Sequence, residues 1–236
     1  ETERGKLIIY ALFTGLALFK IVYYKDNVAH GDPPDEARHV EYVQYLAASG
    51  RVLPQFDDMY APGSEVMVNT LHPPLYYHLL HLLSEPADPG AAQFAALRDS
   101  SAWLAMLAVL ALTVLGLRAD MSLLAHFTYL SVLGSLPMLG YLGGAVNNDT
   151  LAILAGALFA LGLTDILKDT ADERAWLILL LGGLLAFFAK LTAAMLVLFS
   201  ALAALGWLLR SGTPLHLGRR RLLLGALFIA PVLYYQ

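Results

Sequence analysis

The segment Asp35-Glu36-Ala37-Arg38-His39 sets two adjacent carboxylates beside a guanidinium and an imidazole. Farther along the chain, His72, Arg98, Asp149 and Lys190 add another imidazole, two cations and a third acid. A carboxylate can take a proton from an acceptor hydroxyl or amine. Arginine and lysine can hold a phosphate leaving group and neutralise its developing charge. This set therefore suits an anionic, lipid-linked substrate. A divalent cation is a second reading: Glu36 and His39 stand three apart on a helix, so both can lean toward one point, and His72 could add a ligand. No HExxH or comparable tight metal spacing occurs. Each residue also has a plain structural reading. Asp35 could cap a helix, Glu36 and Arg38 could form a solvated face, and the histidines could be interfacial. Asp99 could neutralise Arg98, Lys190 could snorkel, and Asn147-Asn148-Asp149-Thr150 could be a helix N-cap.

The elements that must position these groups follow from composition. The chain has 236 residues, 58% hydrophobic and 14% charged, with no cysteine. Soluble domains carry about 25% charged residues. Disorder, a collagen-like fibre and a disulfide-stapled domain are excluded, as is any thiol chemistry. The net charge of −4 gives no support for nucleic-acid binding. What remains is an all-α, polytopic membrane protein. A membrane helix needs about 20 mostly apolar residues. Candidate spans are Leu7–Tyr24, Ser101–Leu117, Leu123–Leu142, Leu151–Leu167 and Leu222–Tyr235, with a long run from Trp176 to Leu209. That run is too long for one helix and carries Lys190 near its middle, where a lysine costs about 2.5–3.5 kcal/mol. Folding it into a hairpin with Lys190 at the tip gives Trp176–Phe188 and Thr192–Leu209, and about seven transmembrane helices in all. The chain closes at Gln236 with no loop after the last span, so a longer protein is expected.

Charge supports this count. With a cytoplasmic N-terminus, Arg4, Lys6, Arg118, Lys168, Arg174, Arg210 and Arg219-Arg220-Arg221 fall inside. Lys25, Arg38, Arg51, Arg98 and Lys190 fall outside, in agreement with the positive-inside rule. Twelve of the nineteen carboxylates also fall outside, so the chemistry is expected on that face. Residues 25–100 form a long first external loop with two amphipathic surface helices. The first is Glu36–Ser49, with Ala37, Val40, Val43 and Ala47 on one stripe, Arg38, Glu41 and Ser49 away from it, Gln44 at its edge, and Gly50 as the stop. The second starts at His72-Pro73-Pro74 and runs through Leu75–Leu83, too short to span.

Several of these segments carry a family pattern. Asp35-Glu36-Ala37-Arg38-His39, continuing through Leu46-Ala47-Ala48-Ser49-Gly50-Arg51-Val52-Leu53-Pro54, resembles the first external loop of GT-C glycosyltransferases. The nearest look is that of the dolichyl-phosphate-mannose protein mannosyltransferases and the bacterial aminoarabinose transferases. His72-Pro73-Pro74-Leu75-Tyr76-Tyr77 is similar to the family's His/Lys-Pro-Pro element; some relatives carry lysine where this chain has His72. Arg98 matches the arginine opening the second span, Asn148-Asp149 the acidic position of the second loop, and Ala189-Lys190-Leu191-Thr192 the lysine motif between the fifth and sixth spans. The ordered set covers nearly the whole chain.

The resemblance implies a membrane glycosyltransferase with a polyprenyl-phosphate sugar donor and an unnamed acceptor, set in a bacterial inner (plasma) membrane. It implies that Asp35 is the catalytic carboxylate, with Glu36 beside it, and that Asp149 supports the acceptor or a bound cation. It implies that Arg98 and Lys190 contact the donor phosphate, with Arg38, His39, His72, Tyr76 and Asn148 lining the substrate site. The seven spans would be the family's N-terminal membrane module, without its usual C-terminal spans and soluble domain. Two other classes compete: a transporter or flippase of a lipid-linked substrate, and a non-catalytic membrane scaffold. Inverted repeats would favour the transporter, and none is seen.

Overall fold

The computed structural model describes residues 2–54, 72–84, 90–169 and 172–211. Among them the regular elements are helices: α1 (Thr2–Asn27), α2 (Glu36–Ser49), α3 (Leu75–Leu83), α4 (Ala91–Arg118), α5 (Leu123–Ser135), α6 (Pro137–Gly143), α7 (Asp149–Lys168), α8 (Glu173–Ala189) and α9 (Leu191–Ser211). Four of them, α1, α4, α7 and α9, are long and apolar enough to cross a membrane, or five if the bent α5–α6 pair is one span. Such lengths and hydropathies are those of an integral membrane protein.

The long segments run alternately up and down. Lys6 at the start of α1 donates to the Leu117 carbonyl near the end of α4, and Arg118 pairs with Asp165 near the end of α7. At the opposite end, Lys25 pairs with Asp99, and Asn148 donates to the Ala189 carbonyl. That second end also carries α2 and α3 and is called here the site end.

Three sequence expectations change. The second span starts at Ala91, not Ser101, so Arg98 lies inside the helix and not ahead of it. The third expected span, Leu123–Leu142, is broken at Leu136 with a 51° bend. Pro137 has no N–H to offer the Leu133 carbonyl, which accepts from Leu136 N–H at 3.4 Å, and the neighbouring carbonyl of Gly134 accepts from Lys20 Nζ at 3.0 Å. The fifth, α8, has 17 residues, the lower end of the usual range for a span. The break at Lys190 is as expected: its backbone is extended and ends α8. The seventh expected span, Leu222–Tyr235, lies outside the described residues.

Packing decides how closely the helices approach. A Cβ built on Gly182 of α8 would lie 2.3 Å from the Phe159 nitrogen of α7, and one on Gly162 would lie 2.4 Å from the Leu179 nitrogen. Both neighbours are backbone and cannot step aside, so only glycine allows this contact. Gly182→Ala is expected to destabilise by about 1–3 kcal/mol through overpacking. Gly156→Ala, which meets nothing within 4 Å, should be neutral or stabilising through helix propensity. Thermal unfolding of the two variants in one detergent checks this; equal midpoints would contradict the close contact.

The core under the site end joins α2, α3, α4 and α7 through Val40, Tyr42, Val43, Leu46, Tyr76, Tyr77, Leu80, Leu97 and Leu151. The buried face of α2 is Glu36, His39, Val40, Tyr42, Val43 and Leu46. The expected stripe therefore sits rotated, and Ala37 and Ala47 are exposed. The reason is Glu36, a charged residue drawn fully into the core.

Candidate functional site

Asp35 opens α2 with φ 61° and ψ 5°, the only non-glycine residue in the left-handed region among those described. Asp and Asn are the side chains that tolerate this region best. The entry Asp32-Pro33-Pro34 turns the chain, with Glu36 N–H donating to the Pro33 carbonyl and His39 N–H to the Asp35 carbonyl. The Asp35 side chain makes no capping bond to the helix. It is more than half exposed and stands 3.6 Å from Arg38. The expected cap role is thus not made by the side chain, and the carboxylate is presented outward.

Its neighbour Glu36 does the opposite. The carboxylate is fully buried and paired with Arg98, itself 1% exposed. Oε1 accepts from Arg98 Nε at 2.7 Å and from Val146 N–H at 2.9 Å; Oε2 accepts from Arg98 Nη2 at 2.7 Å and Gly31 N–H at 2.8 Å. Burial alone would raise the carboxyl's pKa, but Arg98 and the two backbone N–H groups together outweigh it and hold it below the usual value. The remaining Arg98 donors go to the carbonyls of Lys25, Val28 and Ala29. All five guanidinium N–H groups are therefore used inside the protein. The geometry corrects two expectations at once: Glu36 is not presented to a substrate, and Arg98 has no donor left for a donor phosphate. The pair fastens α2 and α4 to the segments 25–31 and 144–148.

The second acid and the hairpin lysine meet directly. Lys190 Nζ donates to Asp149 Oδ1 at 2.6 Å, with the two side chains 26% and 31% exposed, so both can be reached from solvent. Asn147 holds the start of α7: its Oδ1 accepts from Asp149 N–H, and its carbonyl accepts from Thr150. Asn148, expected on the substrate, is 1% exposed and ties α7 to the carbonyl that ends α8. It positions the Asp149–Lys190 pair.

Two histidines stand within reach of the charges of both acids. His39 is 3% exposed, with Nδ1 hydrogen-bonded to the Tyr77 hydroxyl at 2.9 Å. Its ring faces those of Tyr77 and His72 at 5.7 and 6.3 Å. Burial, then the nearby His72, lowers the His39 pKa to about 4; Lys190 pushes the same way, while Asp35 and Asp149 oppose. His72 is lowered by burial and then by Lys190, again opposed by Asp149 and Asp35. Both histidines thus lie within the fields of Asp35, Asp149 and Lys190. The five side chains come from four places in the sequence, and both imidazoles are neutral at neutral pH.

That neutrality has a measurable consequence. The unfolded chain takes up histidine protons near pH 6.5 while folded His39 waits until about pH 4. Stability from this source is full above pH 6.5 and falls as the pH drops through that window, by about 3 kcal/mol at most at 1.36 kcal/mol per unit. The melting midpoint is expected to fall between pH 7 and pH 5, and less so in His39→Gln. A wild-type midpoint that stayed level or rose over this interval would contradict the buried neutral imidazole. Glu36 titrates in a lower window and does not interfere.

Of the remaining expected residues, Arg38 is half exposed beside Asp35. Tyr76 is fully buried, and its hydroxyl donates to Ser101 Oγ, which donates to the Ala145 carbonyl. It belongs to the core and not to the substrate site. The expected metal ligands diverge: Glu36 faces Arg98 and His39 faces Tyr77. No group of three His, Asp or Glu with metal-binding placement occurs among the described residues. Tyr77 and Asn147, which orient His39 and Asp149, are given no part at the site by the sequence, where Asn147 reads only as part of a helix N-cap, because two tyrosines or two asparagines in a row carry no local signal of which one turns toward the site. No family model matches the chain, and no match was found among curated proteins or solved structures.

Proposed function

We propose that the protein is a membrane glycosyltransferase that moves a sugar from a polyprenyl-phosphate donor to an acceptor at the external face. The observations that carry this reading are an outward carboxylate, Asp35, and a partly exposed acid–lysine pair, Asp149–Lys190, both of which act electrostatically on the buried His39 and His72. In the reaction, the acceptor hydroxyl oxygen bonds to the anomeric carbon and Asp35 takes its proton. The bond from that carbon to the lipid-phosphate oxygen breaks, and its electron pair stays on the phosphate, where Lys190 neutralises it. His39 and His72, being uncharged, can hydrogen-bond sugar hydroxyls without competing for the phosphate. Arg38 stands at the rim, where it can steer an anionic headgroup.

Orientation is part of the proposal. The end remote from the site holds Arg4, Lys6, Arg118, Lys168, Arg174 and Arg210, which favours placing it in the cytoplasm. The seven-span count, with the last span at Leu222–Tyr235, and the bacterial plasma membrane belong to the same reading.

The broken α5–α6 span is the observation that speaks for a transporter, since carriers use interrupted helices to bind cargo. Here the carbonyls at the break are partnered inside the protein, Leu133 by Leu136 N–H and Gly134 by Lys20 Nζ, which speaks against a cargo site there.

The test is consumption of radiolabelled polyprenyl-phosphate sugars by membranes containing the protein, with release of polyprenyl phosphate as the readout. Release above that of membranes without the protein is expected for at least one sugar. No release from any donor of a broad panel, with the protein shown to be folded and inserted, would overturn the reading.

A further inference from the structure

Lys20 is a cation inside the apolar stretch of α1. Lys6 meets the Leu117 carbonyl at one end of that stretch, and Lys25 meets Asp99 at the other. From Lys6 to Lys25 the helix measures about 28 Å, close to the ~30 Å of a bilayer's hydrocarbon core. On this scale Lys20 lies about 7 Å inside the site end, and its side chain runs deeper. Helical side chains lean toward their own N-terminus, and Nζ donates to the Gly134 carbonyl at 3.0 Å. Gly134 stands level with Phe13, whose ring a Cβ on that glycine would meet at 3.4 Å. The ammonium is thus turned toward the bilayer centre and not to the nearer surface, the reverse of snorkelling. Among the described residues the Gly134 carbonyl is its one hydrogen-bond acceptor, and no carboxylate pairs with it. The carbonyl end of α5 carries a partial negative charge, but a helix terminus offsets only part of what a lysine at this depth costs.

We propose that the outer face of α1, centred on Lys20, docks a transmembrane helix of a different protein, one that carries an aspartate or glutamate near mid-membrane. The seat is shaped for a helix. Leu12, Leu16, Phe19 and Tyr23 are all exposed and follow one another in steps of four, three and four, the spacing of a helix–helix seam. Lys20 flanks that seam, in a notch between α1 and the bend of α5–α6 whose rim is Leu16 and Leu136. The notch encloses about 10 Å³, room for one water and not for a phosphate headgroup, so the counter-charge arrives from above it. Apolar contact alone would not choose a partner, because lipid tails are as apolar as leucine. The charge chooses. This sequence has no carboxylate in residues 4–25, 100–118, 121–148, 150–164 or 174–236, which hold all its apolar runs. Asp99, Asp149 and Asp165, at the helix ends, are already paired with Lys25, Lys190 and Arg118. Neither another segment of this sequence nor a second copy of it can therefore neutralise Lys20 at its depth. The inference does not rest on the transferase reading.

The experiment uses synthetic leucine–alanine transmembrane peptides, each with a photoreactive leucine beside its central position, cross-linked to the protein in phosphatidylcholine nanodiscs at about pH 8 and mapped by mass spectrometry. The central residue is aspartate in one peptide and leucine in another; a third carries its aspartate at one end. The centred aspartate is expected to label Leu12, Leu16, Phe19 and Leu136 at least ~10-fold more than either other peptide, the size of one buried interhelical polar contact or more. Lys20→Gln, which can still donate to the Gly134 carbonyl, should reduce the aspartate peptide to the level of the leucine peptide. Lys20→Glu should transfer the preference to a lysine-centred peptide. If these variants do not fold, the three peptides on the wild type decide the matter by themselves. Equal labelling by the aspartate and leucine peptides would overturn the proposal. So would a preference that survives Lys20→Gln, adducts confined to α8 and α9, or loss of the preference when phosphatidic acid is added to the nanodiscs.

Discussion

Asp35→Asn is expected to lower sugar transfer by at least ~100-fold, the contribution of a positioned general base, while the protein melts as the wild type does. The first half follows from chemistry: an amide has no lone pair basic enough to take the acceptor proton. The second half follows from the backbone. With φ at 61°, Asp35 occupies a region that asparagine accepts as readily as aspartate. The side chain makes no capping bond, and its contact with Arg38 is an exposed pair at 3.6 Å, a type worth little. Nothing in the fold depends on its charge. Asp35→Gly sharpens the contrast, since it relieves the left-handed strain and should stabilise by about 1 kcal/mol while also abolishing transfer. A residue strained in the native state and dispensable for stability is one kept for another purpose. Wild-type turnover by Asp35→Asn in the radiolabelled assay would remove Asp35 from the reaction.

The second large effect is on stability. Arg98→Ala is expected to cost about 3–5 kcal/mol, because it leaves the fully buried Glu36 carboxylate without its counter-charge. It also removes the Arg98 donors from the carbonyls of Lys25, Val28 and Ala29, of which only Ala29 keeps another partner among the described residues, the Asp32 N–H. Arg98→Lys keeps the charge but not the five-pronged donor pattern, and should fall between the alanine variant and the wild type. Removing both charges, in Glu36→Leu/Arg98→Met, should recover part of the loss, since a buried pair replaced by apolar groups of similar volume is far less harmful than a broken one. Melting midpoints of the four proteins in one detergent decide it. An Arg98→Ala protein as stable as the wild type, or a double variant no better than the single one, would refute the buried-pair account. The pair also fixes where α2 begins, so Arg98→Ala should lose transfer through misplacement of Asp35, a positioning effect.

These two variants separate neighbours that look alike in the sequence. Asp35 and Glu36 are adjacent acids, yet one is outward and strained and the other is buried and saturated. The difference arises because successive helical residues point about 100° apart, and because a guanidinium 62 residues away is held where only Glu36 can meet it. No local pattern carries that fact. The same holds for Asn148, whose partner is a carbonyl 41 residues away on α8, and for Tyr76, which turns to Ser101 while the equally buried Tyr77 turns to His39.

What the sequence alone determined is whatever acts over one or two helical turns. Apolar runs of membrane length specified the long helices. Gly50 ended α2, His72-Pro73-Pro74 preceded α3, and a lysine in the middle of a long apolar run marked the break between α8 and α9. Pro137 carried an equally local signal, but the unbroken hydropathy around it concealed the bend. Only the tertiary structure decided which ionisable groups hold the protein together and which are left over for a ligand. Burying a charge is costly unless a partner arrives with the right geometry, and that partner comes from another helix. Glu36 and Arg98 found each other and were spent on the fold; Asp35 stayed outward, and Asp149 and Lys190 meet at a partly open surface.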